Sequence, residues 1–215
     1  DDIQAIKDQG TPVVLVGENK GSIKGVPIVR IDCEGAAYKA VRHLIEIGYR
    51  DIAIICGFTP ERENKRKVAG YMRALAEEGI PERKEYVQEA ANTIEGGYIA
   101  AKRLIDLKQR PRAIFTTSDL LAFGAIDAMK DHGIKVPDEV AFVGFDNIRM
   151  SNLIDPKLTT VEKPLHKMGV VGARLLFDII DSKGEENNYC REILLQSKLK
   201  IRKSCGHKER IGEIF

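Results

Sequence analysis

Asp146 stands just past a short apolar run, Val140-Ala141-Phe142-Val143, that stops at Gly144. The run opens after Val136-Pro137-Asp138 and is rich in β-formers, which predicts a strand buried on both faces. Open α/β sheets bind ligands outside the carboxyl ends of their strands, so this carboxylate is placed to accept hydroxyl or amine hydrogens. Gly144 and Asn147 beside it are residues expected to let the backbone turn sharply. A second strand tip, Thr117-Ser118-Asp119, follows Ala113–Thr116, and Asp119 is expected to cap the next helix. Basic residues gather in Arg62-Glu63-Asn64-Lys65-Arg66-Lys67 at another helix start. That cluster suits an anionic ligand or a phosphorylated partner, or simply a solvated helix start.

These groups offer binding rather than bond-breaking chemistry. No G-x-G-x-x-G follows a strand, and there is no G-x-x-x-x-G-K-[ST], G-x-S-x-G or H-E-x-x-H, so no cofactor, metal or catalytic residue is expected. His43, His132, His166 and His207 are scattered and read as surface residues. Cys33, Cys56, Cys190 and Cys205 lack a C-x-x-C pair, which predicts reduced structural thiols rather than a disulfide framework or a zinc site.

Strands and helices must alternate to position these tips. Ile3–Gln9 reads as a helix stopped by Gly10, Pro12–Val16 and Val26–Ile31 as strands, and Ala37, Ala40, Val41, Leu44 and Ile45 as one helix face ended by Gly48. Ile52–Cys56, a helix over 64–78, a short strand at Tyr86–Gln88 and a helix over 95–107 follow. After the two tips come a return strand at 158–161, an amphipathic helix from Leu165 to Ile179, and one closing strand of alternating character over Ile193–Ile201. Repeated βα pairs with short loops imply parallel strands joined by right-handed crossovers, a doubly wound α/β fold.

The 215 residues suffice for one large domain or two small ones. With 34 Lys and Arg against 32 Asp and Glu, the net charge of +2 gives no overall footprint for nucleic acid. No apolar run approaches the roughly 18 residues of a membrane helix, and Asp1-Asp2-Ile3-Gln4 carries no signal peptide, so a soluble, cytoplasmic chain without a membrane partner is expected.

Several segments in order, Ile31-Asp32, Ala69-Gly70-Tyr71-Met72-Arg73-Ala74-Leu75, Thr117-Ser118-Asp119 through Ala125, Val136-Pro137-Asp138, Val143-Gly144-Phe145-Asp146-Asn147 and Leu158-Thr159-Thr160-Val161, resemble the effector-binding domain of LacI/GalR-type transcriptional regulators. The resemblance spans residues 1 to about 203. It implies two doubly wound parallel-sheet subdomains of the type I periplasmic-binding-protein kind, with a sugar, nucleobase or related effector in a cleft between them. Residues 1–31 and 162–189 would form the N-terminal subdomain, 32–161 and 190–203 the C-terminal one, and 204–215 a tail. The family's helix-turn-helix head, hinge helix and first βα units are not among these residues, so a fragment with an incomplete N-terminal subdomain and exposed sheet edges is expected.

By the same resemblance the effector-binding positions fall on Asp146, Lys67, Ser118 and Asn92, with Lys163 and Asp32 near the crossings. Lys67 stands where sugar binders carry Arg, and Asn92 where an aromatic platform is common. Lys lacks the bidentate fork of Arg and Asn cannot stack on a sugar face, a departure from sugar binders. The resemblance implies the effector-binding and dimerisation domain of a repressor, a homodimer that reaches operator DNA only through the absent head. A free-standing sugar-binding protein for uptake is the other reading of the same fold.

Overall fold

The computed structural model describes residues 2–17, 25–58, 62–182, 192–207 and 212–214. In chain order its elements are α1 (Asp2–Asp8), β1 (Leu15–Val16), β2 (Ile28–Ile31), α2 (Cys33–Glu46), β3 (Ile52–Gly57), α3 (Arg62–Glu77), β4 (Val87–Ala90) and α4 (Ile94–Ile105). They continue as β5 (Ala113–Thr116), α5 (Asp119–Asp131), β6 (Ala141–Asp146), β7 (Thr159–Glu162), α6 (Leu165–Asp181), β8 (Glu192–Leu195), β9 (Lys198–Ile201) and β10 (Gly212–Ile214).

The chain divides into two compact units, 1–32 with 164–196 and 33–163 with 197–215. In the first, β2 is the middle strand of a parallel sheet ordered β1-β2-β8, with Leu15 opposite Ile28 and Ile28 opposite Glu192. Met168, Gly172 and Leu175 recur at helical spacing as the buried residues of α6. A Cβ on Gly172 would stand 2.6 Å from Val16 Cγ2, so the glycine allows the helix to press onto β1.

The second unit carries a seven-stranded sheet ordered β10-β9-β7-β6-β5-β3-β4. Its four parallel pairings join β7, β6, β5, β3 and β4 in that order, and β5 and β6 lie at the centre with Ala113–Thr116 and Ala141–Phe145 buried. Helices pack as two pairs, α2 with α3 and α4 with α5. Crossovers that run outward from β3 to β4 and then back through β5 and β6 put these pairs on opposite faces when each is right-handed. Phe115, Phe142, Ile54 and Leu121 are fully buried there, each contributing roughly 1.5–3 kcal/mol of apolar burial.

Four expectations are corrected. The single closing strand over Ile193–Ile201 is two strands: β8 pairs parallel with β2 in the first unit, and β9 pairs antiparallel with β7 in the second. The chain therefore changes unit between Gln196 and Ser197, whereas the crossing expected near Tyr189 falls outside the described residues. The segment expected as a tail forms a one-turn helix at Lys203–Cys205 and the strand β10, which pairs antiparallel with β9. His43, expected at the surface, is buried and stacks on His207, and burial lowers its pKa to about 4. Cys33, Cys56 and Cys205 are buried free thiols, and Cys190 lies outside the described residues.

Candidate functional site

Asp146 ends β6 with φ at +115° and Asn147 follows at +54°. Residues other than glycine rarely take these conformations, and such strain persists only where the surroundings enforce it. The enforcement is visible on all sides. Asn147 donates through Nδ2 to Glu162 at 2.9 Å and accepts at Oδ1 from the Arg202 guanidinium at 2.7 Å. Arg202 in turn donates to Leu158 O at 2.6 Å. Asp119 is buried at the start of α5, where its carboxylate accepts from Ile148 N at 2.9 Å, Ser151 Oγ at 2.5 Å and Thr160 Oγ1 at 2.6 Å. Burial pushes the Asp119 carboxyl up to about 6, and those three donors limit the rise.

The sharp turn expected at Gly144 and Asn147 falls instead on Asp146 and Asn147. A Cβ at Gly144 would stand 2.4 Å from Asp119 Oδ1, so the glycine leaves room for that carboxylate to reach across β6. The capping roles are also reversed. Ser118 is the N-cap of α5, accepting from Leu121 N at 3.4 Å, while Asp119 secures the loop after β6.

The acid at the tip is held by a charge chain running back to α3. Lys163 Nζ lies 2.8 Å from Asp146 Oδ1 and 2.6 Å from Glu63 Oε1, and Lys67 Nζ lies 2.8 Å from the same Glu63 oxygen. Both carboxylate oxygens are buried, and the attraction of the ammonium groups is chiefly Coulombic, with hydrogen bonding second. Burial alone would raise Glu63, yet the two flanking ammonium groups hold it down at about 2. Burial alone would lower Lys163, and Asp146 and Glu63 outweigh it and raise it. Lys67, at 3% exposure, also donates to Thr117 O at 2.9 Å and sits 4.1 Å from the Phe145 ring centroid, which commits its ammonium to the protein. The solvated or anion-binding helix start expected at Arg62–Lys67 is thus corrected at its last residue.

The structure brings Asp146, Lys163 and Lys67 together. Ser118 and Asn92 meet at the neighbouring tips, Ser118 Oγ donating to Asn92 Oδ1 at 2.5 Å, with Asn92 exposed. Asp32 belongs to the other unit, where its backbone N–H donates to Leu195 O at 3.3 Å. Glu63, Arg202 and Asn147 were missed as parts of the site. Only the i, i+4 spacing of Glu63 and Lys67 signalled any of them. A cavity of about 290 Å³, lined by Arg50, Asp51, Ile52, Glu78 and Tyr86, lies at the amino end of β3, away from these tips. No cluster of three or more His, Cys, Asp or Glu suited to a metal occurs among the described residues. What the tips offer is a fixed carboxylate, a neutral serine–asparagine pair and no nucleophile activated by a neighbouring base, an arrangement for holding hydroxyl groups.

Comparison with known proteins gives the family of the fold. The chain is 39% identical over 175 residues to catabolite control protein A of Priestia megaterium, covering 81% of this chain and 52% of that protein. It superposes on a regulatory protein of the LacI family from Chloroflexus aggregans with a TM-score of 0.86 and 31% identity, over 96% of this chain and 73% of that one. The transcriptional regulator CelR in complex with cellobiose gives 0.84 and 31% identity, over 94% and 61%. The chain spans about half the length of the curated relatives it matches. The model of the periplasmic binding protein-like domain matches residues 41–205, the stretch that holds the whole charge chain, Ser118, Asn92 and Arg202. With its two parallel-sheet units and its strained acid at the β6 tip, the chain belongs to the periplasmic-binding-protein-like domain family of LacI-type transcriptional regulators.

Proposed function

We propose that this chain is the effector-sensing part of a LacI-type repressor and that a small sugar or related metabolite binds at Asp146. The observation that carries this reading is the strained φ of +115° at an acid whose side chain is 25% exposed at the sheet's carboxyl edge. The CelR complex with cellobiose, 31% identical, supports a carbohydrate as the ligand class. Relatives named as repressors and control proteins favour a regulator over a free-standing uptake protein, and over an enzyme. The whole protein acts in the cytoplasm as a homodimer. It reaches a two-fold-symmetric operator through a DNA-binding head outside residues 1–215, and ligand shifts the balance between two conformations of the regulator.

The test is a thermal-shift screen of the full-length regulator with sugars, sugar phosphates and nucleobases, repeated on the best ligand with Asp146→Ala. A ligand at 100 times its dissociation constant adds about 2.7 kcal/mol of stability, an easily measured shift. Loss of one or two charge-assisted hydrogen bonds should weaken binding about ten- to hundred-fold or more, read as the ligand-induced shift from each protein's own unliganded melting temperature, which Asp146→Ala also lowers by leaving Lys163 without that partner. Undiminished binding by Asp146→Ala would remove the site from this tip.

A further inference from the structure

Lys163 is the last residue of its unit, immediately before the chain passes into the other at Pro164. Its ammonium occupies a cage of definite chemistry. Carboxylate oxygens of Glu63 and Asp146 lie on two sides at 2.6 and 2.8 Å, and the buried Phe145 ring lies 5.8 Å away. Lys67 lies nearer the same ring and contacts the same Glu63 oxygen. Two acids and two bases close the cage with no net charge. The acid that the proposed function assigns to the ligand thus already has its cation.

We propose that Lys163 determines the ligand class of this site: by filling the ammonium cage it makes the tip select uncharged, hydroxyl-bearing ligands and refuse cationic ones. The proposal rests on Asp146 being the ligand-binding acid. With the cage full, an incoming amine meets an ammonium already in place, and like charge repels it. A hydroxyl needs only a free lone pair on Asp146, and a carboxylate keeps several after one ion pair. Take Lys163 away and Asp146 is left without a counter-ion, since of the two acids Lys67 contacts only Glu63. The vacated space has the shape of the lost side chain beyond Cβ, three carbons and an ammonium. A primary alkylammonium should fit it.

The experiment uses the full-length regulator and its Lys163→Ala variant, with n-propylammonium chloride as the probe and sodium chloride as the ionic-strength control. Lys163→Ala should melt below the wild type. n-Propylammonium should recover most of that loss in a saturable way, well beyond the sodium chloride effect, and should leave the wild type no more stable than sodium chloride does. Equal responses of both proteins to the amine, or no response above sodium chloride, would overturn the proposal. If Lys163→Ala does not fold, Lys163→Met keeps the stem. It should lose stability that Lys163→Arg retains, and equal stability of the two would also overturn it. A sugar response that needs Asp146, together with failure of the amine to rescue, would leave the proposed function standing and sink only the cage. Rescue by the amine with no sugar dependent on Asp146 would do the reverse.

Discussion

Glu63 sits between two ammonium groups, which hold its carboxyl at about 2 against an ordinary 4.5. A carboxyl depressed in the folded state contributes stability above its unfolded pKa and loses it as pH falls through the folded one. The difference is worth on the order of 3 kcal/mol. Glu63→Gln should therefore be less stable than wild type by about that amount at pH 7, and the two denaturation midpoints should converge as pH drops from 4.5 towards 2. A constant offset across that range would show that packing, not charge, holds Glu63. Asp119 runs the other way. Its pKa of about 6, above the ordinary 3.8, means its contribution is greatest below 3.8 and fades as pH rises through 6. Asp119→Asn should flatten the stability profile between those values. Asp146 and Asp119 were legible from sequence as strand-tip acids, because a buried run followed by an acid is a local pattern, but the role of Asp119 in the loop after β6 was not. The partners that fix Asp146 are remote: Arg202 and Asn147 are 55 positions apart, and Lys67 reaches Thr117 across 50. No spacing rule connects such pairs.

Helices α4 and α5 approach so closely that two glycines mark the crossing. A Cβ on Gly124 would stand 1.7 Å from Ile94 O and 2.7 Å from Tyr98 N, and one on Gly97 would stand 2.2 Å from Leu121 O. These neighbours are backbone and cannot swing aside. Gly124→Ala should thus cost at or above the ~3 kcal/mol upper end typical of overpacking. Gly169, in α6, meets nothing within 4 Å at its Cβ, and Gly169→Ala should instead gain about 0.5–1 kcal/mol from helix propensity. Urea midpoints of the two variants should move in opposite directions; a shift of the same sign would break the account of the crossing. Helical periodicity and glycine stops were enough to find α1 to α6, since one apolar face is a property of the segment alone. The break between β8 and β9 was not readable. Buried and outward residues keep alternating from Leu195 through Leu199, while the pairing partner changes from β2 to β7. Alternation reports which side a residue faces and says nothing of which sheet it joins.

At the scale of the molecule, repeated βα units made the doubly wound plan legible, but not the antiparallel strands β9 and β10 that finish one edge of the larger sheet. Nor could the sequence weigh the two units against each other. The larger has a seven-stranded sheet with paired helices and a core that includes Phe115, Phe142 and Tyr71, each almost wholly buried. The smaller has three strands of two, four and four residues, and Val16, Leu194 and Phe177 remain about half exposed or more. Three short strands with one helix partner lie near the lower limit of independent stability. Amide exchange should therefore be slowest in β5 and β6, which open only with global unfolding, and orders of magnitude faster in β1 and β2, which can open on their own. Hydrogen-exchange mass spectrometry on the 215-residue chain reads both at once. Destabilising the larger core with Phe142→Ala, at roughly 3–5 kcal/mol, should speed exchange in β5 and β6 and leave the already fast β1 and β2 nearly unchanged. If instead all four strands exchanged at one rate, and that single rate rose everywhere in Phe142→Ala, the two units would be opening as one cooperative body and this division of stability would be wrong.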